Sequence, residues 1–255
     1  MTNLMKAELY KLQRNKTFWV LLATITGLSA LLHFLVQIEW WQLSGTEFDK
    51  AGLSELNALS VLILPLFFNL IVSTLAGFYI STEFSHGSVI KNQTISGNKR
   101  THIFIAKYVI FSLGTIIITI LIPLLTAISL VILFGHGDIL NPSNLMYLGR
   151  AFSLFTLQFL CFTAVVLLLS IVTEDSGKTI LFTLLLTIIM FIIEKFVTIP
   201  FIKGLYEYTF FNQFGEVFKV SMTNSEILKS ILVGVISFII MIVWGILIFK
   251  RKEIK

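Results

Sequence analysis

Six apolar runs, each close to the length that carries an α-helix across a lipid bilayer, leave this chain little room to fold any other way. They cover Phe18–Ile38, Leu59–Ile80, Tyr108–Phe134, Ala151–Val172, Thr179–Ile193 and Ile227–Ile248. A crossing takes about 20 mainly apolar residues, at ~1.5 Å rise each, to traverse ~30 Å of hydrocarbon. The fifth run is short and reaches that length by continuing through Lys195 and Phe196. Hydrophobic residues make up 56% of the 255 and charged ones 13%, far from the balance of a soluble domain. The connecting segments are too brief for a second core, because domains below about 40 residues rarely stand alone. The expected fold is all-α and polytopic, six transmembrane helices in one domain over residues 1–255.

The net charge of +5 does not point to nucleic acid, because the basic residues flank the apolar runs. Lys6, Lys11, Arg14 and Lys16 precede the first run, and Lys91, Lys99, Arg100 and Lys107 separate the second from the third. Lys178 and the terminal Lys250, Arg251, Lys252 and Lys255 fall on the same side. Thirteen basic residues therefore face six on the other side, Lys50, Arg150, Lys195, Lys203, Lys219 and Lys229. Short basic loops stay in the cytoplasm, so a multi-pass protein of the cell membrane with both termini cytoplasmic is expected. The basic stretch before the first run resembles the start of a signal peptide. That run is too long for one and lacks a small-residue exit, so it is expected to stay as a span.

Residues 1–16 read as an amphipathic elbow helix, with Met1, Met5, Leu9 and Leu12 on one narrow face, suited to lying among lipid headgroups. Trp19 and Trp244 stand at the inner ends of their runs and Trp40 and Trp41 at an outer end, as an aromatic belt requires. Residues 194–226 form an unusual outer segment. Phe201, Tyr206, Tyr208, Phe210, Phe211, Phe214 and Phe218 alternate there with the breakers Pro200, Gly204 and Gly215. It is too interrupted to span and too aromatic for a free loop, so one or two short re-entrant helices beside the spans are expected.

Signatures of catalysis are missing. Ser176-Gly177-Lys178-Thr179 carries the end of a phosphate-binding loop, but Val172 stands where the first glycine belongs and a membrane helix replaces the required strand. His33, His86, His102 and His136 are scattered, and the one cysteine, Cys161, lies inside a run. That pattern offers no metal set, and none of the runs holds an aspartate. The chain is expected to bind no cofactor or metal and to catalyse nothing itself. Polar residues within the runs are few. Asn69 and His33 are the candidates for a substrate pathway, while Asn69 equally suits hydrogen bonding between helices; Gln158 and Glu194 suit packing and an outward-reaching carboxylate.

The segment 81–107 is the most structured of the connections. Gly87 breaks the helix leaving the second run, Ser88 is placed to cap a short helix, Gly97-Asn98 ends it, and Thr101 is placed to cap the next. A short helix held between two turns fits a partner's groove. A solvated basic loop fits the same residues.

At this point the chain resembles the membrane subunits of ABC exporters of the ABC-2 permease class. The likeness rests on the elbow helix, six spans, a Glu-x-x-x-Gly-Ser turn at Glu83, Gly87 and Ser88, and a basic run from Arg100 to Ala106-Lys107. The Ile95–Gly97 stretch departs from the Pro-containing turn common in such proteins. The resemblance implies two permease copies, identical or related, each seated on a separate cytoplasmic ABC ATPase subunit that holds ATP and Mg. It implies that Met5, Leu9, Leu12, Glu83, Gly87, Ser88, Lys91, Arg100 and Lys107 serve contact with that ATPase. Amphipathic cargo moved outward, such as an antimicrobial peptide, drug or lipid, is the implied function, most familiar in Gram-positive bacteria. A membrane immunity or sensor protein that binds a peptide antibiotic without moving it is the alternative.

Overall fold

The structure is a computed structural model and describes residues 1–85 and 88–252. Gly87 falls outside the described residues, as do the side chain of Ser88 and the terminal Lys255. Among the described residues, six helices are long and apolar enough to cross a membrane: Lys16–Gln37, Pro65–Phe84, Arg100–Leu133, Pro142–Thr173, Ser176–Phe196 and Asn224–Arg251. We call them spans one to six. Among the same residues there is no strand.

Several boundaries differ from the apolar runs, each for a local reason. The second run does not form a helix from Leu59. Leu59–Leu62 is a separate turn, and Leu64 is extended (φ −64°, ψ 134°) because the proline after it excludes helical backbone. Pro65 then opens span two, where its missing N–H costs nothing. Span three starts at Arg100, well before the apolar run. Thr101 lies inside that helix rather than capping it, and Lys99 before it supplies no side-chain cap. Span four opens at Pro142, with the Asn141 side chain accepting from the backbone N–H of Asn144 at 2.9 Å.

Spans two and four are mostly enclosed, whereas spans one, five and six present most of their surface outward, as lipid-facing helices do. Span four is the centre. It packs along spans three, five and six, while span one runs beside the second half of span three and span two beside span five. Lipid is as apolar as leucine, so these contacts gain from close fit rather than from expelling water. Phe155, Phe159 and Phe162 of span four surround Phe68 of span two at centroid distances of 5.9, 5.5 and 5.1 Å, all edge to face. Such pairs contribute about 0.5–1.5 kcal/mol each beyond simple burial.

The aromatic segment before span six forms two short helices, Pro200–Tyr206 and Phe210–Glu216. Phe210, Phe211, Phe214 and Phe218 are buried, and Phe214 closes on Phe68 at 4.9 Å. Phe201 and Tyr208 remain exposed. Glu194 does not simply reach outward: it pairs with Lys195 at 2.6 Å and accepts from the Tyr206 hydroxyl at 3.0 Å, fixing the first short helix to the end of span five.

Candidate functional site

The N-terminal helix, the end of span six, the short helix before span three and the turn between spans four and five meet at one end of the bundle. The helix Thr2–Arg14 lies there against the start of span three. It buries Leu4, Glu8 and Leu12, spaced every four residues and therefore on one stripe. This buried stripe is offset from the apolar face Met1, Met5, Leu9 and Leu12. Leu12 is inside and Met5 partly so, but Met1 and Leu9 are exposed. Leu12 rests over Gly114 of span three, where an added Cβ would come within 2.9 Å of its Cδ2.

Glu8 sits in the middle of that stripe with 1% exposure. Lys107 Nζ of span three, itself 1% exposed, donates to both Glu8 carboxylate oxygens at 3.1 and 3.2 Å. Lys11 Nζ donates at 2.7 Å, Gln93 Nε2 of the short helix Ser88–Ile95 at 2.9 Å, and the Tyr79 hydroxyl of span two at 3.0 Å. Tyr79 also donates to the Glu8 backbone carbonyl at 3.0 Å. Glu83, at the end of span two, accepts from Lys11 at 2.9 Å and from Lys107. Four segments, the N-terminal helix, span two, the short helix and span three, therefore close on one carboxylate. Two acids face two bases, so the buried cluster is neutral and each charge is compensated, the condition under which buried ions are tolerated.

The electrostatics follow from this packing. Burial pushes the Glu8 carboxyl upward, but Lys107 and then Lys11 outweigh it, taking it from an ordinary value of 4.5 to about 2. For Lys11, burial pulls downward, and Glu83 and Glu8 overcome that to raise it.

A second tie joins the start of span three to the end of span six. Arg100 Nη1 donates to the carbonyls of Lys250 and Lys252 at 2.8 and 2.7 Å. Lys252 pairs with Glu174 at 2.8 Å, donates to the Ile171 carbonyl and lies 5.4 Å from the Phe84 ring. Below it Phe104 fills a notch at Gly245, where a Cβ would lie 2.4 Å from the Phe104 ring.

The short helix turns Ile90 and Gln93 inward and leaves Lys91 and Ile95 exposed. It ends where Gly97 adopts φ +82°, a left-handed conformation that glycine takes without strain, and Asn98 Nδ2 donates back to the Gln93 carbonyl at 3.0 Å. Of the residues singled out in the sequence, Glu83, Lys107 and Leu12 thus converge. Arg100 belongs to the neighbouring tie, and Lys91, Leu9 and Met5 lie on its margins. Glu8, Tyr79 and Gln93 were missed. The signal for Glu8 was a carboxylate set between Leu4 and Leu12 on an otherwise apolar stripe.

The two pathway candidates lie apart, and both are buried. Asn69 has no exposure and its amide donates to Thr187 of span five at 3.0 Å. His33, also unexposed, contacts the Ser29 carbonyl at 2.7 Å, and Ser29 reaches Thr126 of span three at 2.5 Å. Asn69 thus bonds between helices, whereas His33 bonds within span one and leaves the interhelical contact to Ser29. The Ser176–Thr179 string opens span five directly after the helix of span four. There the Asp175 carboxylate accepts from the Lys178 N–H at 2.8 Å, a carboxylate standing where a phosphate would have to be held.

No curated protein and no solved structure matches the chain. The family model described as "ABC-2 family transporter protein" matches residues 4–194, a stretch that contains Glu8, Glu83, Arg100, Lys107, the first four spans and nearly all of the fifth. With six bilayer-length helices and a match over most of its length, the chain belongs to the ABC-2 family of transporter proteins and is a non-catalytic membrane permease subunit of an ABC transporter.

Proposed function

We propose that this permease moves amphipathic cargo, such as an antimicrobial or toxin peptide, a drug or a lipid, outward across the cytoplasmic membrane. The force comes from a separate ABC ATPase seated on the end of the bundle that carries the Glu8 cluster. ATP and Mg reside on that subunit, and a second permease copy completes the transporter. The excess of basic residues at the cluster end supports a cytoplasmic position for that end and for both termini. The one observation that carries the reading is the convergence of four segments on Glu8. A push on the exposed face of the short helix, at Lys91 and Ile95, passes through Gln93 to Glu8 and from there to spans two and three without a soft element between. Coupling of this kind requires a packed connection with two arrangements whose balance the partner shifts.

The test is ATP hydrolysis by the purified permease together with the cytoplasmic ATPase that co-purifies with it. Glu83→Ala and Arg100→Glu should insert into the membrane normally yet lower the stimulation of hydrolysis by cargo. Full stimulation in both variants would remove this end of the bundle from the coupling role.

A further inference from the structure

At the opposite end of the bundle two cavities adjoin and share one side chain. The first is an apolar groove of about 440 Å³ along the outward face of span six, floored by Val233 and walled by Leu228, Leu232 and Ile236. The second is a polar cavity of about 370 Å³ beneath the two short helices, lined in part by Lys203, Glu207, Lys219 and Lys229. Lys229 lines both. Its ammonium lies 4.7 Å from the Tyr208 ring, which holds it at the mouth of the groove. Within the polar cavity Glu216 is spent on Lys219 at 2.5 Å and Glu194 on Lys195 at 2.6 Å. Among the described residues, Lys203 and Lys229 have no carboxylate partner.

The geometry points to a bound phospholipid, its acyl chain in the span-six groove and its phosphate between Lys229 and Lys203. Three features select this occupant. The groove opens sideways through residues more than half exposed, such as Leu228 (56%) and Ile236 (54%), so a chain enters from the bilayer and not from water. The cation stands in the second turn of span six, the depth at which lysine stems lie along apolar surface while the charge reaches headgroups. The adjoining cavity is polar, which suits a headgroup and not a second chain, and its free Glu207 can receive the ammonium of a zwitterionic head. This site is independent of the coupling cluster, which lies at the other end.

The experiment is lipid retention by the purified permease in mild detergent, read by native mass spectrometry with added phosphatidylethanolamine or diacylglycerol as probes. The expected result is one phosphatidylethanolamine held per chain and diacylglycerol not held. Lys229→Gln should weaken retention about two- to fivefold, the worth of one partly exposed ion pair, and Lys229→Arg should keep it. Leu232→Trp, which narrows the groove and leaves the charge in place, should weaken it as well. Equal retention of both probes, or retention unchanged in Lys229→Gln and Leu232→Trp, would overturn the proposal. So would a Leu232→Cys variant that cross-links to a second copy of the chain with no lipid retained.

Discussion

Replacing Glu8 with alanine should release the N-terminal helix from the bundle. The variant strips Lys107, which is 1% exposed, of two of its hydrogen bonds, and it leaves Lys11 and Gln93 each short of an acceptor. The cluster becomes a buried site with one uncompensated positive charge, and breaking a buried pair from one side costs about 3–5 kcal/mol. A second route gives a similar size. The gap between 4.5 and about 2 for the Glu8 carboxyl corresponds to about 3 kcal/mol. About 3 kcal/mol multiplies the undocked population by roughly 100. A helix of 13 residues is marginal alone, so undocking should appear as amide exchange. Hydrogen exchange over residues 2–14 should therefore be about a hundredfold faster in Glu8→Ala. The same protection should vary with pH. Because the folded carboxyl lies below its ordinary value, its contribution is complete above about pH 4.5 and falls away as pH drops towards 2. Facing Glu8 are Lys11 on its own helix, Tyr79 and Glu83 from span two, Gln93 from the short helix and Lys107 from span three. Lys11 is raised, so its share persists to high pH, and a plateau across neutral pH is expected. Glu8→Leu combined with Lys107→Met keeps the cluster neutral through Lys11 and Glu83 and should recover much of the protection. Exchange within threefold of the parent in Glu8→Ala would refute the reasoning.

Further outcomes are expected elsewhere. Arg100→Ala removes two charge-assisted bonds to the end of span six and should make the chain beyond Phe249 readily cleaved by protease; unchanged cleavage would show that this tie holds nothing. Gly245→Val drives a side chain into the Phe104 ring and should cost about 1–3 kcal/mol, seen as a lower melting temperature in detergent. Asn69→Leu loses one interhelical bond worth about 1 kcal/mol. It should lower thermal stability slightly while leaving the range of transported cargo intact, and a changed range would return Asn69 to the substrate pathway.

The six crossings were readable from the sequence because apolar length alone decides whether a helix stays in lipid. Their ends were not, because these depend on single residues whose effect is local. Pro65 forces Leu64 out of the helix inside a run that hydropathy treats as continuous, and Asn141-Pro142 starts span four outside its apolar run. The basic connection drew attention to Glu83, Arg100 and Lys107 through spacing and resemblance. Glu8 stayed hidden because its partners, Tyr79, Gln93 and Lys107, are distant in sequence and only packing unites them. Which residues of the N-terminal helix pack inward was hidden for a related reason. A wheel weighs Leu9 and Leu12 alike, whereas it is Leu12, together with Phe18, that lies over Gly114.

The claim on which the account turns is that the Glu8 end of the bundle faces the ATP-containing side of the membrane. The chain suits a direct test, since its one cysteine, Cys161, is buried and should give little background. Lys91→Cys and Glu207→Cys, both at exposed positions on opposite ends, would be treated in intact cells with a maleimide that does not cross membranes. The account predicts that position 207 is labelled at once and position 91 only after the cells are permeabilised. Labelling of position 91 in intact cells, with position 207 protected, would contradict it.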